Sequence, residues 1–143
     1  MIDCYSKQVL GWSIADHMRT ELIIDAIHMT VRNHTLPAGA IFHTDRGSQY
    51  TSEQFASQLR TLGIRQSVGR TGVCFDNSQA ETFNAALKVE RVHRTHYPTH
   101  RHARADVAHY IEIRYNRKRL HSALNYQTPW EVHSEYLDGQ VAA

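Results

Sequence analysis

With 143 residues, 41% of them apolar, the chain has the length of one ordinary domain and enough apolar material to bury a core. Sixteen Lys and Arg against 14 Asp and Glu leave a net charge of only +2, so bulk charge by itself selects no class of partner. No run approaches the roughly eighteen apolar residues of a membrane span. Met1-Ile2-Asp3-Cys4 lacks a leader's basic and apolar pattern, and Cys4 and Cys74 stand in no metal-binding spacing. The expectation is a cytoplasmic protein with two free thiols and no membrane association.

Along the chain, the apolar and β-branched pattern from Lys7 to Ile14 predicts a strand. Thr20 is the expected cap of a helix whose stripe is Leu22, Ile23, Ala26, Ile27, Thr30 and Val31. Leu36-Pro37-Ala38-Gly39 closes the connection to a short strand, Ala40 to Phe42, which runs into the polar turn His43 to Tyr50. Ser52 opens a second helix with Phe55, Leu59 and Leu62 inward, and Ile64 to Val68 forms another strand. Gly69-Arg70-Thr71-Gly72 reads as a mobile loop. A third helix, capped at Asn77 or Ser78, carries the apolar stripe Ala80, Phe83 and Leu87 with Glu81 and Lys88 on another side. A fourth helix is expected over Thr99–Tyr115, and a frayed tail from Asp138. This order of elements implies an α/β layer architecture.

Charge is uneven within the chain. From Lys88 to Arg119 nine Lys and Arg face only Glu90, Asp106 and Glu112, which makes the C-terminal third a candidate phosphate-facing surface, or else a solvated helical face. Asp45 follows a strand beside Gly47, and Glu81 lies in the first turn of a helix. Oxygen ligands of this kind suit Mg²⁺, which binds one or two carboxylates with water and phosphate. Taken singly, Asp45 serves equally as a turn-forming residue and Glu81 as a helix-dipole or capping-box residue.

Four segments resemble the insertion-sequence transposases of the retroviral-integrase superfamily, in particular the IS3-like group. They are Ile2-Asp3-Cys4-Tyr5-Ser6-Lys7 with Val9-Leu10-Gly11-Trp12, and His43-Thr44-Asp45-Arg46-Gly47-Ser48-Gln49-Tyr50-Thr51-Ser52. The other two are Asp76-Asn77-Ser78-Gln79-Ala80-Glu81-Thr82-Phe83 with Leu87-Lys88 and Glu90, and Tyr115-Asn116-Arg119-His121-Leu124-Tyr126-Thr128-Pro129. Residues 46 to 80, thirty-five in all, separate Asp45 from Glu81, the spacing of the D,D(35)E class. The resemblance runs from residue 2 to about 132.

What the resemblance implies is a ribonuclease H-like integrase core over residues 1–132, missing its first strand and most of the second, with a tail over 133–143. It implies Asp45 and Glu81 as the second and third catalytic carboxylates and as ligands of a two-metal Mg²⁺ (or Mn²⁺) site for DNA cleavage and strand transfer. Lys88 matches a position expected to touch transposon-end DNA, while Arg46 and Gln49 flank the site, for DNA contact or to hold the loop. Implied partners are DNA, both transposon ends and target, and a second copy of the chain; the implied location is the bacterial cytoplasm, with the nucleoid. The first aspartate has no counterpart in these residues, and Asp3 matches a structural aspartate. The 143 residues are therefore expected to be inactive alone, or to be a non-catalytic DNA-binding remnant. The histidines His93, His96, His100 and His102 raise a competing zinc reading, which Pro98 and Thr99 interrupt. Trp12 and Trp130 are expected in the core.

Overall fold

The computed structural model describes residues 1–69 and 78–141. The chain packs as two compact units, one of Met1 and Leu10–Ser78, the other of Ile2–Val9 and Gln79–Ala143.

In the first unit, strands β1 (Ile41–Thr44) and β2 (Arg65–Val68) pair in parallel, with Ile41 opposite Arg65 and Thr44 opposite Val68. Parallel neighbours need a crossover, supplied here by helix α2 (Glu53–Thr61). Ser52 caps α2 as expected, its hydroxyl accepting from the Phe55 N–H. Phe55 and Leu59 then bury completely against Ile24 and Ile27 of helix α1 (Thr20–Asn33) and against Ile64. Phe42 and Tyr50 each meet the Phe55 ring edge-on at 5.7 Å. This cluster holds β1 and the turn after it against two helices.

Two expectations fail in the first third of the chain. Thr20 does not cap α1: Arg19 occupies the cap position without a side-chain bond, and the Thr20 hydroxyl reaches Ser52 Oγ instead. Lys7 to Ile14 is no regular strand either; only an isolated antiparallel bridge, Ile2 with Val9, survives. Lys7 takes a left-handed conformation with φ of 64°. Gly11 is pressed so close to α1 that an added Cβ would lie 2.3 Å from the Ala26 carbonyl oxygen. Close packing on a helix replaces sheet pairing there.

In the second unit, Asp3 accepts from the backbone N–H of Ser6 at 2.8 Å and from its hydroxyl at 2.6 Å, so its carboxylate builds the turn between Ile2 and Val9. The buried Asn116 side chain takes over both backbone groups of Val9: its Oδ1 accepts from the Val9 N–H and its Nδ2 donates to the Val9 carbonyl, each at 3.0 Å. Helix α3 (Ser78–Glu90) buries none of its residues fully; Ala80, Phe83 and Leu87 are half-buried, and the Phe83 ring stands edge-on to Tyr115 at 4.9 Å.

The expected helix over 99–115 is two structures. Helix α4 (His100–His109), capped by Thr99, passes into a π-helical turn, Tyr110–Tyr115. The wider turn puts Tyr110, Ile111 and Tyr115 on the buried side together. The predicted tail is helical as far as Val141, within helix α5 (Pro129–Val141). Thr128 and Glu131 start α5 with a reciprocal capping box: the Thr128 hydroxyl accepts from the Glu131 N–H, and the Glu131 carboxylate accepts from the Thr128 N–H. Trp130 is not a core residue but 41% exposed, with the Arg117 guanidinium 5.1 Å from its ring centroid; Trp12 is half-buried. Cys4 is a free, exposed thiol, whereas Cys74 and the expected loop over 69–72 lie, Gly69 apart, outside the described residues.

Candidate functional site

Asp45 leaves the C-terminal end of β1, where a parallel sheet opens and ligands gather in α/β folds. Its Oδ1 accepts from the Gly47 N–H at 2.9 Å, an Asx turn that aims the carboxylate and leaves Oδ2 without a described partner. Gly47 packs tightly here: a Cβ there would sit 3.0 Å from that same Oδ1, so the carboxylate would have to give by a few tenths of an ångström. The loop is fastened at three further points. Arg46 Nε donates to the Gly69 carbonyl (3.1 Å), Gln49 Nε2 to the Met18 carbonyl (3.0 Å), and Gln66 Nε2 to the Tyr50 carbonyl (2.7 Å). Arg46 and Gln49 thus hold the loop in shape, and Arg46 is an exposed residue. Burial, and then the charge of Asp45, push the Tyr50 phenol up. Just before Asp45, the buried Thr44 hydroxyl has no partner among the described residues.

Glu81 stands exposed in the first turn of α3, where the helix dipole favours a negative charge. Neither the Glu81 nor the Lys88 side chain makes a hydrogen bond or ion pair with a described residue. Seven residues apart, they lie two helical turns from each other on one face. Asp45, Arg46 and Gln49 therefore share one unit and one loop, and Glu81 and Lys88 share one helix of the other.

The far end of α3 is locked by residues that the motifs alone leave without individual roles. Glu90 accepts from Arg119 Nε at 2.8 Å and from the Tyr110 hydroxyl at 2.9 Å. Burial acts to raise the Glu90 carboxyl, but these hydrogen bonds and the Arg119 charge outweigh it and hold it below the usual carboxylate range. Arg119 also lies over the Tyr115 ring and beside His121, whose pKa is lowered by burial first and by Arg119 second. The signal was present, since Glu90, Tyr115, Arg119 and His121 all belong to the quoted motifs, but which pairs meet is decided by the π-helical turn. Asp106 binds Arg91 through two hydrogen bonds and accepts from the Tyr97 hydroxyl at 2.7 Å; the Arg91 bond is the main cause of its lowered pKa.

The donor chemistry at Asp45 and Glu81 fits a hard divalent cation: both are exposed carboxylates with oxygens not committed to described residues. Among the described residues no three His, Cys, Asp or Glu side chains gather into a metal-binding group, so the histidines from 93 to 102 form no zinc site. No helix of the described residues is long and apolar enough to cross a membrane.

A parallel strand pair with an aspartate at its open end, joined by a crossover helix and followed by a glutamate helix, defines an integrase-type core. Residues 1–74 match the family described as "Integrase core domain", and residues 62–129 match a second family of the same description; the chain belongs to the integrase core family. It is 40% identical to the transposase for insertion sequence element IS904 of Lactococcus lactis subsp. lactis (strain IL1403), over 90% of this chain and 51% of that protein. It is 38% identical to transposase InsF for insertion sequence IS3A of Escherichia coli (strain K12), over 96% and 48%. The chain spans about half the length of these curated relatives. The IS3-like resemblance is borne out. The catalytic core domain of BIV integrase shares the fold with a TM-score of 0.65 at 16% identity, covering 94% of this chain and 86% of that one. So does a chain of the simian T-cell lymphotropic virus intasome in complex with PP2A regulatory subunit B56 gamma, with a TM-score of 0.64 at 16% identity, over 83% and 41%. The α/β, ribonuclease H-like expectation therefore holds.

Proposed function

We propose that this chain supplies two of the three metal-binding carboxylates, Asp45 and Glu81, of a transposase core that cleaves DNA and transfers its strands. The observation that carries the reading is the Asp45 carboxylate, aimed by the Gly47 N–H at the open end of β1 with its second oxygen uncommitted. The thirty-five-residue spacing to Glu81 and the match to the integrase core family support it.

Bound Mg²⁺ or Mn²⁺ would activate a water or a DNA 3′-hydroxyl and stabilise the departing oxygen of a phosphodiester. The chain's own part is to hold acids, not to supply a nucleophile. Asp45 presents a carboxylate whose direction is set by the Asx turn, and Glu81 presents another from the first turn of α3. Arg46 and Gln49 keep the Asp45 loop from collapsing, while the exposed residues Arg46 and Lys88 contact DNA phosphates. With two acids of three, these 143 residues bind transposon-end and target DNA without cutting it. Catalysis needs an aspartate from further sequence, and synapsis of two ends needs a second copy of the chain. The site of action is the bacterial nucleoid, in the cytoplasm.

The experiment is a Mg²⁺-dependent strand-transfer assay on end DNA, comparing the 143-residue chain with one extended through the upstream reading frame. The short chain should bind DNA and give no product. The extended chain should give product that disappears in Asp45→Asn and in Glu81→Gln while DNA binding persists. Product from the short chain, or survival of product in either variant, refutes the assignment.

A further inference from the structure

The inward stripe of α3 does not end on an apolar residue. Ala80, Phe83 and Leu87 recur at the three- and four-residue spacing of one helical face, and Glu90 takes the next place in that series. A carboxylate on a packing face must find donors or lose solvation without compensation. Glu90 finds two, since Arg119 Nε donates to its Oε1 at 2.8 Å and the Tyr110 hydroxyl to its Oε2 at 2.9 Å. Both donors are themselves held. Tyr110 is buried in the π-helical turn, and the Arg119 guanidinium lies over the Tyr115 ring and 3.3 Å from His121 Nε2. The Tyr115 ring also receives Phe83, so one cluster meets α3 at two points of its inward face.

Apolar packing does little to fix how this helix is turned. None of its residues is fully buried, and near its start Gln79 Nε2 reaches the Cys4 carbonyl at 3.3 Å. Half-buried apolar contacts are non-directional and tolerate rotation about the helix axis. A carboxylate with two fixed donors does not, because hydrogen bonds weaken steeply as their angle closes. At 3.6 residues per turn, Glu90 points about 160° away from Lys88 and about 180° away from Glu81. Pinning Glu90 inward therefore turns both of those side chains outward, and both are exposed. On a helix about 5–6 Å in radius with its side chains, a rotation of about 20° would carry either one about 2 Å.

We infer that Glu90 is a positioning residue: clamped by Arg119 and Tyr110, it sets the rotation of α3 and so presents Lys88, with Glu81 on the same face, to DNA. The inference rests on the proposal that Lys88 contacts a DNA phosphate. It reverses what charge alone would do. Glu90 stands among Lys88, Arg91 and Arg119, so deleting an acid there should by itself strengthen attraction to a polyanion. If the clamp sets Lys88, the same deletion weakens binding.

The test is the salt dependence of duplex binding by the 143-residue chain, followed by fluorescence anisotropy of a labelled duplex of about 20 base pairs at about 50 to 200 mM salt. Lys88→Gln should reduce the slope of log affinity against log salt by about 0.9, the share of one phosphate contact. Glu90→Ala should bind more weakly than the parent and lose about the same slope. The chain carrying both changes should lose no more than either alone. A fold that is merely loosened lowers the fraction of competent protein, and hence the affinity, but leaves the slope unchanged. Should Glu90→Ala lose its helical circular dichroism, Tyr110→Phe takes its place in the same cycle, because it removes one donor of the clamp and no charge. Tighter binding in the clamp variant, a parent-like slope, or a double variant whose slope falls by about 1.8 overturns this inference and leaves the Asp45 and Glu81 proposal standing. A parent-like slope in Lys88→Gln removes the phosphate contact itself and overturns this inference with it. Failure of the parent to bind duplex DNA overturns both this inference and the proposal that the chain acts on DNA.

Discussion

Replacing Asn116 by Leu keeps the side chain's four heavy atoms and its branching at Cγ, and removes both hydrogen bonds to Val9. Asn116 is 3% exposed and Val9 4%, so the Val9 N–H and C=O would lose their partners away from water. An unsatisfied buried polar group costs about 1–3 kcal/mol, which for two groups gives about 2–6 kcal/mol, most of it local to the Ile2–Val9 turn. Asn116→Asp should do no better: its Oδ1 still accepts from the Val9 N–H, but an oxygen replaces the donor facing the Val9 carbonyl, and a charge is buried. Hydrogen exchange followed by NMR gives the local reading, because each 1.4 kcal/mol is tenfold in the opening equilibrium. The Val9 amide should exchange about thirtyfold faster or more in Asn116→Leu, while the Leu59 and Ile64 amides of the other unit stay protected as in the parent. Unchanged Val9 protection in the Leu variant would refute the account of Asn116 as the group that satisfies this backbone.

Gly11→Ala places a Cβ 2.1 Å from Thr30 Oγ1 and 2.3 Å from the Ala26 carbonyl, so α1 must shift; thermal melting should show a loss of about 3 kcal/mol. Thr128→Ala removes the acceptor for the Glu131 N–H and half of the capping box, and should cost about 1 kcal/mol, read as earlier fraying of α5 in hydrogen exchange. The Glu90 carboxyl sits below its ordinary 4.5 in the folded chain. Its stabilisation is therefore complete above that value and lost as pH falls through the folded one. Denaturant titrations from pH 7 to 3 should show stability declining below about pH 5, and less steeply in Glu90→Gln, which should be less stable than the parent at pH 7.

Much of this molecule was legible in its residues because the signals were local or periodic. Ser52 caps α2, the stripe of Phe55 and Leu59 faces inward, and Asp45 falls between a strand and a glycine turn; each needs only near neighbours in sequence. The integrase core resemblance was legible for a different reason, since four motifs at the right spacing constrain one another. What the residues alone left open involved distant partners. Lys7 to Ile14 has the composition of a strand, yet Val9 is satisfied by a side chain 107 positions away and Gly11 is pressed against a helix. Periodicity is blind to both, because it records what a segment prefers and not what is available to pair with it. The Thr128–Glu131 capping box could have been read directly, as Thr-x-x-Glu with Pro at the first helical position, and would have turned the expected tail into a helix.

The sequence by itself determined the family, the carboxylates and their spacing, because those depend on residue identity and order. Only the tertiary structure decided which groups hold them: Gly47 aiming Asp45, and Glu90 joined to Tyr110 and Arg119 at the far end of the Glu81 helix. Hydrogen-bond partners are chosen by proximity in space, and a six-residue π-helical turn, invisible to a 3.6-residue pattern, was enough to set which side chains meet.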